Sequence, residues 1–197
     1  MLMPDLQLIT AHALEALKDL PSASIHAVVT SPPYYGLRQY KCPPVLWGGE
    51  AACQHQWATK EHVDKRGTGG SHLQGRNPYT GGEARLNYSE GCCSICGAWQ
   101  GQLGLEPTAE MYVEHLVSIF EEIRRVLRKD GTLWLNMGDS MAGSGSPGGD
   151  FRDGKGGDTY LRPYNRKGYG LKPKATIGIP WMVAFALRSQ GWYVRRP

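Results

Sequence analysis

The sequence predicts an α/β fold in which short buried strands alternate with amphipathic helices, interrupted by one long polar insert. Three observations carry this. An apolar run at residues 25–29 stops just before Thr-Ser-Pro-Pro, as a buried strand does where it leaves a sheet. A helical stripe between residues 112 and 127 leads into a second apolar run at 132–137. Strand, helix, strand in that order implies parallel strands joined by a right-handed crossover. Between the two runs, residues 41–101 lose apolar periodicity and hold all 5 cysteines, a stretch too long for an ordinary loop.

The composition sets the outer bounds. The chain has 197 residues, 41% of them hydrophobic, enough for one domain with a real core. A net charge of +4 permits a nucleic-acid partner without requiring one. No apolar run is long enough to span a bilayer and no charged-then-apolar leader opens the chain. The expectation is a cytosolic protein whose cysteines are reduced or metal-bound.

Taken in order, residues 6–9 read as a first strand and residues 11–20 as a helix, with Leu14, Leu17 and Lys18 at helical spacing. Pro21-Ser22-Ala23-Ser24 breaks it, and the strand 25–29 follows. The chain then meets Pro32-Pro33. Each proline lacks an N–H and holds the preceding residue extended, so the ladder ends in a stiff loop. The carboxyl end of a strand in an open α/β sheet is where ligands bind. Ser31 offers a hydroxyl and Pro32 a carbonyl, two acceptors for one amino group. Tyr34 offers a face for a planar base. Two acceptors on an aromatic amine favour a pyramidal nitrogen and push density onto it, and they bind more strongly as positive charge develops there.

A bare Pro-Pro-Tyr is more often a surface turn. The longer phrase, Thr30-Ser31-Pro32-Pro33-Tyr34-Tyr35-Gly36-Leu37-Arg38 after an apolar strand, resembles the catalytic motif of DNA amino-methyltransferases, Asp/Asn/Ser-Pro-Pro-Tyr. The resemblance implies a Rossmann-like S-adenosylmethionine-dependent methyltransferase fold, here partial; the zinc-ribbon-like insert expected within it is read from its own cysteines and histidine, below. It assigns Ser31, Pro32, Pro33 and Tyr34 to catalysis and Thr30 to the cofactor side. The serine form looks most like the cytosine-N4 branch, with adenine-N6 members close. The family's first turn usually reads Gly-Asp-Ala-Leu. This chain has Ala11-His12-Ala13-Leu14 instead, without the cofactor-associated aspartate.

The insert carries Cys53-Gln54-His55 early and Cys93-Ser94-Ile95-Cys96-Gly97 late. The late pair has knuckle spacing, with a glycine for the tight turn. Cys53, His55, Cys93 and Cys96 suit a tetrahedral structural zinc, with Cys42, Cys92 or His72 as possible replacements. Four protein ligands leave no open position, so this metal is assigned no chemistry. It would supply folding energy that the polar insert cannot draw from a core. The residues between the half-sites, 60–85, read as a polar, mobile stretch.

After the insert, Thr108 caps a helix with Glu110 in its first turn. Tyr112, Leu116, Ile119, Phe120, Ile123, Val126 and Leu127 form its core stripe, and Asp130-Gly131 is expected to end it. The strand 132–137 follows. The phrase from Gly131 to Ser140 again resembles the family, and places Asn136, Gly138 and Asp139 beside the Pro-Pro loop as lining for the cofactor or base. Residues 142–174 read as a flexible basic loop, with Arg152, Lys155, Arg162 and Arg166 interleaved with Phe151, Tyr160, Tyr164 and Tyr169. That mixture suits a DNA backbone and unstacked bases. Gly143-Ser144-Gly145-Ser146-Pro147-Gly148 matches G-x-G-x-x-G literally, but no helix follows directly and Pro147 interrupts it, so no dinucleotide site is assigned. Gly178-Ile179-Pro180 opens a last helix, Gly191 stops it, and residues 192–194 read as the start of another strand.

The expected division is residues 1–40 with 104–197 as the catalytic domain and 41–103 as the inserted module. The family's permuted order puts a target-recognition region and a Phe-x-Gly-x-Gly cofactor loop downstream, and no Phe-x-Gly-x-Gly occurs here. The expectation is therefore the amino-terminal part of a larger enzyme, partnered by double-stranded DNA and by a missing carboxyl-terminal half or second chain. The alternatives are an adenine-N6 enzyme, a non-catalytic DNA-binding remnant, or a relative that methylates RNA or protein amides.

Overall fold

The computed structural model describes residues 6–37, 40, 42–58, 91–142, 171–172 and 175–195. They form α1 (Ala13–Lys18), β1 (Ile25–Thr30), β2 (Val45–Trp47), β3 (Trp99–Gly101), α2 (Ala109–Val126), β4 (Leu127–Leu135) and α3 (Ile179–Ser189). The chain divides into two units, Met1–Cys42 with Gln102–Pro197, and Pro43–Gly101. The glycine-rich motif at 143–148, the basic loop apart from its first residue and residues 171–172, and residues 60–85 with His72 lie outside the described residues.

In the first unit, β1 and β4 pair in parallel, Ala27 opposite Thr132 through Thr30 opposite Leu135. The helix between them in sequence is α2. Thr108 caps it, its hydroxyl accepting from the Met111 N–H at 3.2 Å, and Glu110 stands in the first turn. Tyr112, Leu116, Ile119, Phe120, Ile123 and Val126 are all buried, joined by Ala109 and Val113. Each of the buried Val, Leu, Ile and Phe side chains contributes roughly 1.5–3 kcal/mol. Helices α1 and α3 both pack on α2. Ile179, Val183 and Leu187 are the buried stripe of α3.

Several expectations need correction. Residues 6–9 are not a strand: no ladder partner reaches them among the described residues, and Leu6 and Leu8 are exposed. The first helix is shorter than 11–20 and buries no residue. Helix α2 does not run to Asp130-Gly131. Leu127 turns extended and enters β4 at once. The turn chemistry of Arg128 to Gly131 is used differently, as an irregularity where β4 advances from Leu127 to Thr132 while β1 advances from Ile25 to Ala27. The two strands are also not fully buried. Val29 and its partner Trp134 are 80% and 65% exposed on one face. Residues 192–194 are not a strand either. Gly191, in the left-handed region at φ 88°, folds the Trp192 N–H back onto the Leu187 carbonyl (3.1 Å), while the Gly191 N–H bonds Arg188 (3.0 Å). That closes α3 as a Schellman cap.

In the second unit, β2 and β3 pair antiparallel with Trp47 opposite Trp99. Trp47, Ala98, Trp99 and Cys93 are its buried centre. Two isolated bridges, Trp57 with Cys93 and Cys92 with Trp99, tie the knuckle to this small ribbon.

Arg125 links α2 to α1. Its guanidinium donates to the Leu17 carbonyl (2.6 Å), the Leu20 carbonyl (3.0 Å) and the Ser22 hydroxyl (3.1 Å), and pairs with Glu122 (2.8 Å). It thereby adds a charged donor to carbonyls at the end of a short helix, where a cation is favoured. Arg125→Ala is expected to lower unfolding free energy by about 2 kcal/mol. Arg128→Ala, whose contacts to Asp130 and His26 are exposed, should change it by less than about 0.5 kcal/mol. Urea unfolding of the two variants checks the difference.

Candidate functional site

The carboxyl ends of β1 and β4 lie side by side, tied by the Asn136 N–H donating to the Thr30 carbonyl at 2.9 Å. From there the chain leaves β1 through Ser31-Pro32-Pro33. With no N–H on either proline, the loop finds its bonds elsewhere. The Tyr112 hydroxyl donates to the Pro33 carbonyl at 2.7 Å. The Leu37 N–H donates to the Tyr34 carbonyl at 3.3 Å, and the Gly36 N–H to the Gly104 carbonyl at 2.7 Å. The buried Ser140 hydroxyl donates to the Tyr35 carbonyl. Among the described residues, no donor reaches the Pro32 carbonyl.

Ser31, Pro32, Tyr34, Leu37 and Tyr40 line an open cleft of about 250 Å³. Ser31 is exposed, and its hydroxyl stands 3.5 Å from the Tyr34 hydroxyl, the outer limit of a hydrogen bond. It is therefore available to another partner. Tyr34 rests on Gly138: a Cβ there would meet the ring at 2.8 Å. Glycine at 138 is what lets the aromatic ring lie against the end of β4.

Thr30, Ser31, Pro32, Pro33, Tyr34, Asn136 and Gly138 are thus brought together at one end of the parallel pair. Asp139 is turned to another task. Its carboxylate accepts from the Ser140 N–H (2.7 Å), the Gly178 N–H (3.0 Å) and the Ile179 N–H (3.0 Å). The latter two belong to the start of α3, whose own N-cap Gly178 has no side chain to offer. The negative charge also suits the positive end of a helix dipole.

Residues that the sequence did not mark complete the support. Tyr112 reads only as core, yet its hydroxyl holds the loop. Its phenol is pushed above the ordinary range by burial first, then by Glu106 and Tyr34, so it stays a donor. Glu106 is buried, its carboxylate accepting from the Gly104 N–H (2.8 Å) and meeting His115 Nδ1 (3.0 Å). The Tyr112 contact joins residues 79 positions apart, and no local pattern announces it.

The second unit gathers Cys53, His55, Cys93 and Cys96, their ligand atoms all within 4.8 Å of one another. The donor set fits zinc. Zn–S bonds of about 2.3 Å and Zn–N bonds of about 2.0 Å put tetrahedral S···S edges near ~3.8 Å and S···N edges near ~3.5 Å. The Cys53–Cys93 and Cys96–His55 Nδ1 separations are 3.9 and 3.4 Å. The Ile95 N–H points at the Cys93 sulfur (3.4 Å), and the Gly97 N–H bonds the Cys93 carbonyl (3.0 Å). Burial opposes ionisation of Cys93, but the Cys96 N–H, His55 and the Ile95 N–H overcome it and bring the thiol down to about 6. Cys53 is pushed up to about 12 by burial, then by Cys96 and Cys93. The Cys93 sulfur raises His55 above its ordinary value. Three thiols this close cannot all ionise unless a cation takes the place of their protons. Cys42 and Cys92 are not in the cluster.

Comparison with known proteins decides the family. The family model N6_N4_Mtase, described as DNA methylase, matches residues 25–196. The chain belongs to this family. Type II methyltransferase M.SmaI of Serratia marcescens is 34% identical over 190 residues, covering 96% of this chain and 45% of the relative. Type II methyltransferase M.XycI of Xanthomonas campestris pv. cyanopsidis is 34% identical over 183 residues, 93% of this chain and 42% of its own. Type II methyltransferase M.SfiI of Streptomyces fimbriatus is 30% identical over 192 residues, 98% of this chain and 29% of its own. The chain thus spans less than half the length of these curated relatives. No solved structure matches it. Among the described residues, no helix is long and apolar enough to cross a membrane. Membership of the family implies a fold that uses S-adenosylmethionine, and the mixed helix and strand content accords with that.

Asp139→Ala is expected to leave the first turn of α3 uncapped and to cost about 1–2 kcal/mol. Asp139→Asn, which keeps one acceptor oxygen, should cost less than half of that. Urea unfolding of both variants measures the pair.

Proposed function

We propose that this chain forms the base-binding, methyl-accepting part of a site-specific DNA methyltransferase acting on cytosine N4. The observation that carries this is the Pro-Pro loop: Ser31, Pro32 and Tyr34 line one open cleft at the carboxyl ends of two parallel strands, and among the described residues no donor reaches the Pro32 carbonyl. A base flipped out of the duplex would stack on Tyr34. Its amino group would donate to Ser31 Oγ and the Pro32 carbonyl. Bound S-adenosylmethionine supplies an electrophilic methyl on a sulfonium. The amine nitrogen would take that methyl as the carbon–sulfur bond breaks, and would then lose one proton to solvent. The two acceptors hold the hydrogens as positive charge builds on nitrogen, which is the differential stabilisation that speeds the step. Thr30, Asn136 and Gly138, at the strand ends, are the residues we assign to the cofactor side. The carboxylate of Asp139 already serves α3, so its part there is limited to backbone.

The finer architecture belongs to the same proposal. The unit built on β1, α2 and β4 would be part of a Rossmann-like methyltransferase domain, 1–40 with 104–197. The module 41–103 would be a zinc ribbon. Further sequence of the kind the longer relatives carry, on this polypeptide or a second chain, would cover the Val29–Trp134 face. The basic aromatic segment 142–174 would meet the DNA backbone.

Tritiated S-adenosylmethionine and genomic DNA, followed by nucleoside digestion, test the assignment. Label in N4-methyldeoxycytidine is the expected result, and label in N6-methyldeoxyadenosine moves the chain to the adenine branch. No label, with DNA affinity retained, makes the chain a binding remnant. Tyr34→Ala should lower turnover by on the order of 100-fold or more with duplex affinity within about threefold. Equal loss of both sinks the roles given to the loop.

The chain is expected to bind one zinc ion. Cys93→Ser and Cys96→Ser should abolish it, and Cys92→Ser and Cys42→Ser should leave it. Metal content by plasma mass spectrometry, with the melting curve before and after chelation, reads the result. Retention of zinc by Cys93→Ser would mean a different ligand set.

A further inference from the structure

Behind the Pro-Pro loop lies a set of buried polar groups that the proposed chemistry does not touch. Tyr112 is fully buried, yet its hydroxyl is spent on the Pro33 carbonyl at 2.7 Å. Its ring leans on Tyr35 at 5.5 Å. Glu106 is 4% exposed. A carboxylate is rarely so buried without partners, and this one has two, the Gly104 N–H and His115 Nδ1. Gly104 sits at φ +92°, in the region that favours glycine. A Cβ there would come within 3.1 Å of the Tyr34 carbonyl and 3.3 Å of Pro33 Cβ. The Gly36 N–H donates to the Gly104 carbonyl.

We propose that Tyr112 and Glu106, the latter braced by His115, are positioning residues that fix the direction of the Pro32 carbonyl by clamping the loop just after it. The inference rests on the methyl-transfer reading above. Tyr112 fixes the plane of the peptide that follows Pro33. The proline ring fixes φ of the same residue, so the preceding peptide, which bears the Pro32 carbonyl, has little freedom left. Glu106 holds Gly104 in its unusual conformation, and Gly104 in turn blocks the back of Pro33 and Tyr34. Tyr112 and His115 stand three residues apart on α2, on one face of the helix. One rigid element therefore carries both arms of the clamp. An acceptor that cannot swing away needs no reorganisation when charge develops on the amine, and a displacement of about 1 Å costs about 100-fold in rate.

The test uses the full chain and three variants, Tyr112→Phe, Glu106→Gln and Glu106→Ala. Tyr112→Phe removes one hydroxyl and keeps the ring packing. The expected result is kcat for methyl transfer to genomic DNA lowered by about 10- to 100-fold, with KM for DNA within about twofold and a melting temperature lowered by no more than about 4 °C. Glu106→Gln, which keeps an acceptor for the Gly104 N–H, should retain more activity than Glu106→Ala. Unchanged kcat in Tyr112→Phe overturns the proposal. So does a joint fall of kcat, DNA affinity and melting temperature, which a merely structural role would give. If the unsubstituted chain transfers no methyl group, the reading of its function fails. The clamp is then judged on binding of oligo(dC) and oligo(dA) decamers. Binding weakened about tenfold in Tyr112→Phe with unchanged duplex affinity supports it. Equal binding by both proteins, or none by the unsubstituted chain, overturns it.

Discussion

Two consecutive prolines at the end of β1 impose the constraint around which this site is arranged. Neither can donate to a ladder, so the strand stops and the chain beyond it loses the partner that a sheet would have supplied. Four of the next carbonyl and N–H groups are recovered by other means: Tyr112 on the Pro33 carbonyl, Leu37 on Tyr34, Ser140 on Tyr35, and Gly36 on Gly104. These bonds all lie after Pro32. Pro32 lines a cleft, and among the described residues no donor reaches its carbonyl. A loop with every acceptor satisfied would be inert, and one with none satisfied would be mobile. Here those bonds hold the segment that follows the Pro32 carbonyl in place.

Helix α2 is the element that makes this possible. Its apolar stripe packs α1 and α3, its Tyr112 and His115 support the Pro-Pro loop, and its Arg125 closes the end of α1. Arg124, one residue earlier, donates to the Gln190 carbonyl at the end of α3. Two adjacent arginines in the last turn of one helix thus serve the C-terminal ends of two others. The electrostatic logic is simple, since cations belong beside the carbonyl ends of helices. Anchoring the loop on the best-packed helix ties the geometry of the site to the stability of the core.

What the sequence made legible was what local chemistry dictates. The stripe of α2, the Thr108 cap, the proline start and glycine stop of α3, and the Pro-Pro exit from β1 all follow from spacing or backbone restriction, and all are present. The four metal-cluster residues were legible because knuckle spacing has a geometric meaning. Illegible were the contacts made across long separations. Lys129-Asp130-Gly131 carries turn chemistry, and nothing local distinguishes a helix stop from an irregular strand start. Residues 192–194 have strand propensity, but the Schellman cap at Gly191 turns their first N–H back on the helix. Tyr112 looks like any other member of an apolar stripe, because its hydroxyl finds a carbonyl 79 positions away.

Asp139 shows how adjacency in a motif can mislead about role. It sits one residue after Gly138, which makes room for Tyr34, and both belong to the phrase that follows β4. Yet a carboxylate has a finite set of lone pairs, and these are engaged by three backbone N–H groups at short range. Moving it to a ligand would leave the first turn of α3 without an acceptor, at a position where Gly178 can provide none. The helix it caps is packed on α2, and α2 holds the Pro-Pro loop. Asp139 therefore acts on the site through the scaffold, and the glycine beside it acts on the aromatic ring directly. Neighbours in sequence, at the same end of the same strand, do their work by different routes because one has a side chain to spend and the other is there for having none.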